Sequence, residues 1–368
     1  MSVLGITATY DHYLANPDLA PYIQKVVEGP FSKAEIINRV ANELIKEAQS
    51  IGYSVREDAD LVDIVTSLNK RAEDIKNVFS VIAKQLLGGE QTLFHLEEQA
   101  KDPIDLARLI CKWMHENQDI LASVTSLDLT GLGLTHLFKE IGLLYNLEIL
   151  ILNQNFLKDV PEEMGELREL LTLHLCSNQL EVLDEWIGKL TQLQILDVGH
   201  NCLKKISPEI KGLRKIQGIS LTGNALDSLP KEIGFLSTLL ALVIQDNQLT
   251  KLPATLGILW NLEILLLNNN QISELPHLGN LKKLTQLDVD GNKLEELPRW
   301  LPALESLETL EMAYNRLTVL PPAPFMQELT KLKEADFSHN QLRKKPEEEI
   351  AGMGSCKFDF SGNPFPKE

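Results

Sequence analysis

Few residues in this chain of 368 are spaced for chemistry. His174 and Cys176 stand two apart, and on an extended strand residues two apart share a face. A thiol beside an imidazole is the pairing used for nucleophilic catalysis, but no third group is evident to orient the base. Cys111 stands beside Ile110 on an apolar stripe, where a buried thiol is expected to be inert. The run Asp288–Asn292, DVDGN, offers carboxylates to calcium, yet its glycine comes two residues too early for a calcium-binding loop. Lys204, Lys205, Lys211, Arg214 and Lys215 form a local basic group, expected to be a solvated face. There is no H-E-x-x-H, no phosphate-binding G-x-x-x-x-G-K and no G-x-S-x-G. The expectation is a chain that is not an enzyme and has no cofactor or metal.

What positions these residues is a repeat. Asn155, Asn178, Asn201, Asn224, Asn247 and Asn270 recur every 23 residues; Asn292, Asn315, Asn340 and Asn363 continue at steps of 22, 23, 25 and 23. Around them runs the frame L-x-x-L-x-L-x-x-N-x-L-x-x-L-P, as in LEILILNQNFLKDVP and LTQLDVDGNKLEELP. An additional opening unit, VTSLDLTGLGLTHL, puts Leu132 in the asparagine slot. The frame resembles the leucine-rich repeat and covers residues 121–368. Its physics agrees with that resemblance. L-x-L alternation sends Leu265 and Leu267 into a core and Ile264, Leu266 and Asn268 outward. The asparagine is expected to be buried, bonding backbone groups that no neighbouring strand reaches. Asn268 and Asn269 lie outside that role, so Asn269 is expected to tolerate substitution. No single unit buries its own face, so stacking is obligatory.

The first 120 residues are different material. SKAEIINRVANELIKEAQSIG opens with a capping box, Ser32 to Glu35, and closes at Gly52, with a stripe of Ile37, Val40, Leu44, Ala48 and Ile51. A longer helix is predicted from about Asp58 to Leu87, with Leu61, Ile64, Leu68, Ala72, Ile75, Phe79, Ile82 and Leu86 on one face. A third follows Asp102 as N-cap and Pro103, and is expected to cover the open apolar end of the first repeat. At the other end Phe358, Phe360 and Phe365 are expected to form a lid. The fold expected is therefore α/β: a leucine-rich repeat solenoid of about eleven repeats with a parallel concave sheet, preceded by an α-helical domain. Its division is 1–101 helical domain, 102–120 capping helix and 121–368 repeats with a C-terminal cap.

Net charge is −17, carried by both parts of the chain, which disfavours nucleic acid as a partner. The beginning, MSVLGITATYDHYL, lacks the basic region and apolar core of a secretory signal, and no 18-residue apolar run offers a membrane span. Four cysteines without disulfide or metal spacing favour a reducing compartment.

Function is sought on the concave sheet. Counting back from each asparagine, the outward positions include Ile149 and Ile151 in one repeat, and Ala241, Val243, Ile264 and Leu266 in two adjacent ones. Beyond them the same column turns acidic: Asp288, Glu311, Asp336 and Asp359. A strand apolar on both faces is usually covered on both. Either the helices fold back over this one or a partner does, and the short connection into the first strand favours a protein partner. The partner-binding residues expected are Ile149, Ile151, Val243, Ile264, Leu266, Asp288, Glu311 and Asp336, on a monomer. The elements PEEMGEL, PKEIGFL and LPATLGIL look like the cytoplasmic leucine-rich repeat class of Ras-binding scaffolds, and of effectors from intracellular bacteria that place a helical module first. That likeness implies a non-catalytic binding scaffold, cytoplasmic or secreted into a host cytoplasm. A second expectation rests on DLARLICKWMHENQDIL, which is similar to the end of an F-box without its Leu-Pro opening. It implies a ubiquitin-ligase adaptor, or another activity in residues 1–120.

Overall fold

The computed structural model describes residues 16–26, 33–53, 55, 60–86 and 88–365. Among the described residues six helices come first: α1 (Ala20–Val26), α2 (Lys33–Ser50), α3 (Leu61–Gln85), α4 (Gly89–Gln99), α5 (Pro103–Glu116) and α6 (Gln118–Leu121). The capping box at Ser32 and the stripe residue Ile37 lie outside the described residues and side chains. The stripe of α3 is buried along its whole length, and Asp60 caps it by accepting the Val62 N–H at 2.8 Å. Asp102 caps α5 through the Asp105 N–H, with Pro103 in the first turn. Helices α1 and α4 were not expected. In α4 only Gly89 and Leu96 are buried while Phe94 is 61% exposed, so its apolar period is weak.

The strands are β1 (Ser126–Asp128), β2 (Ile149–Ile151), β3 (Thr172–His174), β4 (Val182–Leu183), β5 (Ile195–Asp197), β6 (Lys205–Ile206), β7 (Gly218–Ser220), β8 (Ala241–Val243), β9 (Ile264–Leu266), β10 (Gln286–Asp288), β11 (Thr309–Glu311), β12 (Glu334–Asp336) and β13 (Lys357–Asp359). Eleven of them form one parallel sheet in chain order, and β4 pairs with β6 separately. Most return segments carry a short 3-10 turn, such as Glu162–Glu166. Every strand of the large sheet keeps its middle residue buried or partly buried between less buried neighbours, which is the alternation the frame requires.

The asparagines form the expected ladder. Asn270 accepts the Leu249 N–H of the preceding repeat at 2.9 Å, and its Nδ2 donates to the Ile244 and Leu267 carbonyls, both at 2.9 Å. One feature of the turn corrects the expectation for Asn269. The residue just before each ladder asparagine from Asn155 onward is left-handed: Gln154, Ser177, His200, Asp246, Asn269, Tyr314 and His339 at φ 51–58°, and Gly223, Gly291 and Gly362 where side chains are absent. Asn269, at φ 56°, also donates its Nδ2 to Asp246 at 2.8 Å, so it is held rather than free.

The helices dock on the first repeat. Ile110 and Met114 of α5 are fully buried there, and Trp113 meets Phe79 of α3 edge-on at 5.4 Å. Capping is not left to α5 alone. Asp74 of α3, 1% exposed, accepts the Thr135 N–H at 3.1 Å, the Thr135 hydroxyl at 2.8 Å and the His136 N–H at 3.1 Å, and pairs with Lys70 at 3.1 Å. It satisfies donors in the first loop, which has no preceding repeat. At the other end Phe337 is fully buried beneath Phe360, centroids 5.6 Å apart, and Phe358 stacks on Phe360 at 5.8 Å. Phe358 and Phe360 themselves stay partly exposed.

Candidate functional site

Strand register decides which outward side chains meet. Val243 lies beside Leu266, Leu266 beside Asp288, Asp288 beside Glu311, and Glu311 beside Asp336; Ala241 lies beside Ile264. The apolar group and the acidic column are thus continuous across β8 to β12. Strands about 4.8 Å apart shield one another's side chains, so Val243, Ile264 and Leu266 are partly buried rather than freely exposed. The apolar surface they offer is smaller than full exposure would give. Ile149 stands apart from that group, on β2; it is 37% exposed and Ile151 is partly buried. Two strands on from β2, Ile195 at 39% exposed adds an apolar residue not counted among the expected contacts.

The acidic column has a further member that the expected set omitted. Asp290 follows Asp288 by two, and its carboxylate oxygens come within 4.8 Å of those of Glu311 and Asp336. It accepts the Ala313 N–H at 2.6 Å, while Asp288 accepts the Asp290 N–H at 3.0 Å. Partial burial, then the charge of Asp288, pushes Asp290 up to about 7. Burial also raises Asp288, and burial followed by Asp336 and Asp288 raises Glu311. The signal that could have found Asp290 is its slot, two before a ladder asparagine and therefore outward. Among the described residues, Asp290, Glu311 and Asp336 are the carboxylates close enough to share a cation. The segment Asp288–Asn292 itself does not wrap like a calcium loop, because Asn292 is a ladder residue and Gly291 holds the left-handed turn.

The other candidates resolve into structure. His174 Nδ1 faces the Asp197 carboxylate at 3.8 Å, while the Cys176 N–H is bonded to Asn153 and its Sγ lies 3.5 Å from the Ser177 hydroxyl. Cys111 is buried, and burial followed by the nearby Glu140 carboxylate raises its thiol. Lys204 pairs with Glu181 at 2.9 Å and Lys211 with Glu209 at 3.3 Å, so part of the basic group is matched by carboxylates. The F-box-like segment puts Leu106, Ile110 and Met114 into the helical core and first repeat. All four cysteines are free thiols. Among the described residues no helix is long and apolar enough to cross a membrane.

A family model described as leucine rich repeat matches residues 168–226, and one described as leucine rich repeats (2 copies) matches residues 260–301. No curated protein matches the chain. Among solved structures, the functional domain of InlJ from Listeria monocytogenes is similar in fold, at 22% identity and a TM-score of 0.50 over 68% of this chain and 56% of that one. A TDR receptor is similar at 27% identity and a TM-score of 0.56, over 69% of this chain and 50% of that one. So is the Arabidopsis receptor kinase HAESA, solved with the peptide hormone IDA and the co-receptor SERK1: 27% identity, TM-score 0.52, 60% of this chain and 39% of that one. This chain spans about half the length of the first two.

Proposed function

We propose that this leucine-rich repeat protein is a non-catalytic scaffold that grips a partner protein on its concave sheet. Leucine-rich repeat domains generally mediate protein–protein interaction. The observation that carries the reading is the junction across β8 to β12: an apolar group, Val243, Ile264 and Leu266, in register with the unbroken carboxylates of Asp288, Glu311 and Asp336. Asp290 adds to that acidic end, and Ile149 and Ile151 give a second apolar contact toward the helices. The complementary partner presents an apolar anchor followed by basic residues. Anchors carry most of the binding energy, while charges at the rim set the rate of association. HAESA, similar in fold at 27% identity, holds a peptide hormone and a protein co-receptor, which supports a polypeptide ligand. The Cys176 thiol lies beside the Ser177 hydroxyl and His174 faces Asp197, which supports the non-catalytic part. Nucleic acid is disfavoured by the acidic concave face.

The free thiols support a reducing compartment, the cytoplasm or, for an effector of an intracellular bacterium, that of its host. The test is capture of partners from lysate on the full chain, then surface-plasmon kinetics with the purified partner. Leu266→Asp is expected to weaken binding about thirtyfold, mainly by faster dissociation, a loss of ~2 kcal/mol. Its melting temperature should hold, because the side chain points away from the core. Unchanged kinetics would place the site elsewhere.

A further inference from the structure

Among the described residues β13 is the last strand of the large sheet: β12 pairs one side of it, and no strand pairs the other. The Lys357 N–H donates to the Lys333 carbonyl and the Asp359 carbonyl accepts the Phe337 N–H, both at 2.8 Å. Lys357 and Asp359 therefore spend their backbone groups on the array, and by strand alternation those of Phe358 face away from it. Behind that edge Phe358, Phe360, Phe365 and Met353 are only partly buried, so the end of the apolar core is incompletely covered.

We propose that this edge pairs with the same edge of a second copy, as an antiparallel two-fold contact centred on Phe358. Three observations point to a copy rather than to an unrelated strand. First, the residue whose N–H and C=O face outward is the one at the centre of the register, so the two Phe358 residues exchange both bonds, the arrangement of a hydrogen-bonded antiparallel pair. Secondly, the register sets Lys357 opposite Asp359 of the partner copy, and Asp359 opposite its Lys357. The pattern is self-complementary, as a two-fold interface requires. Lys357 is the only lysine or arginine in the two outward columns of the concave sheet, where it lies beside Glu334 of β12. A lysine on an edge strand ordinarily repels another chain. A copy run antiparallel sets the Asp359 carboxylate opposite it on the open side, so there the lysine attracts its own copy. Thirdly, the same rotation brings the partly exposed phenylalanines of the two ends together.

Two short edges bury less than the roughly 1,000 Å² expected of a stable interface, so the dimer is weak and concentration-dependent. It leaves the apolar group at Val243 and Leu266 free, so it is independent of the binding reading above. The experiment is sedimentation velocity on the full chain from about 10 µM to 0.5 mM. A monomer–dimer equilibrium is expected. Lys357→Asp should weaken it about tenfold, since both symmetry-related pairs become like-charged. Asp359→Lys should do the same, and the double exchange Lys357→Asp with Asp359→Lys should restore it. Restoration separates pairing from folding, because a merely damaged edge is not repaired by a second substitution. Monomer at every concentration, a dimer indifferent to Lys357→Asp, or a double exchange no better than either single variant would each overturn the proposal.

Discussion

Replacing Asp290 by asparagine should stabilise the protein, and only above mild acidity. The native carboxyl titrates near 7, against an ordinary 3.8. A folded-state pKa raised in this way means that the native state holds its proton while the unfolded chain has lost it. Stability contributed by that proton is present in full below about pH 4 and disappears as pH rises through 7. A shift of this size corresponds to ~4 kcal/mol by linkage. The side chain is only half buried and solvent screens its neighbours, so the recoverable amount is ~1–2 kcal/mol. Asparagine keeps the oxygen that accepts the Ala313 N–H and brings an amide that can donate toward Glu311 or Asp336. Urea unfolding at pH 8 and at pH 4 measures the effect directly, with the variant gaining at pH 8 and matching the parent at pH 4. An equal gain at both values would mean that packing, not charge, is relieved. No gain at pH 8 would mean that the four carboxylates are better solvated than their geometry implies.

Asn270→Ala should cost ~2–3 kcal/mol in urea unfolding, because it strands the Leu249 N–H and two carbonyls. Asn269→Ala should cost ~1 kcal/mol, and Asn269→Gly almost nothing, since the penalty there is a left-handed backbone rather than a lost core contact. Asp74→Ala should cost ~2–3 kcal/mol and raise amide exchange at Thr135 and His136; protection unchanged at those two positions would show that the clamp is dispensable.

The repeat was legible because stacking makes one physical requirement recur. Each unit needs the same leucines inward and the same asparagine under its turn, so errors at single positions average out. The facing of Val243, Leu266 and Asp288 followed from alternation alone. The left-handed slot was also written in the sequence, in Gly223, Gly291 and Gly362 one before the asparagine, but seven other side chains occupy it and mask the signal. Helix α4 was not legible: its apolar period is weak, with Phe94 pointing to solvent. Neither was Asp74, a carboxylate between Ala72 and Ile75 whose partners lie some sixty residues away. The perturbation of Asp290 depends on carboxylates from three successive repeats, and sequence spacing alone does not give the burial that drives it.

The clamp at Asp74 makes the two ends of the array unequal. One end is fastened to a helical layer by several bonds to a fully buried acid; the other finishes on aromatic rings that water reaches. In a quasi-linear array, where each unit leans only on its neighbours, opening then begins at the loose end and travels inward. The acidic half of the concave sheet lies on that side, so a ligand seated there would act as a splint, and its affinity would include the work of stilling the last repeats. Hydrogen exchange along the chain would display this as a gradient of protection, steepest with no ligand bound and flattened when the groove is filled.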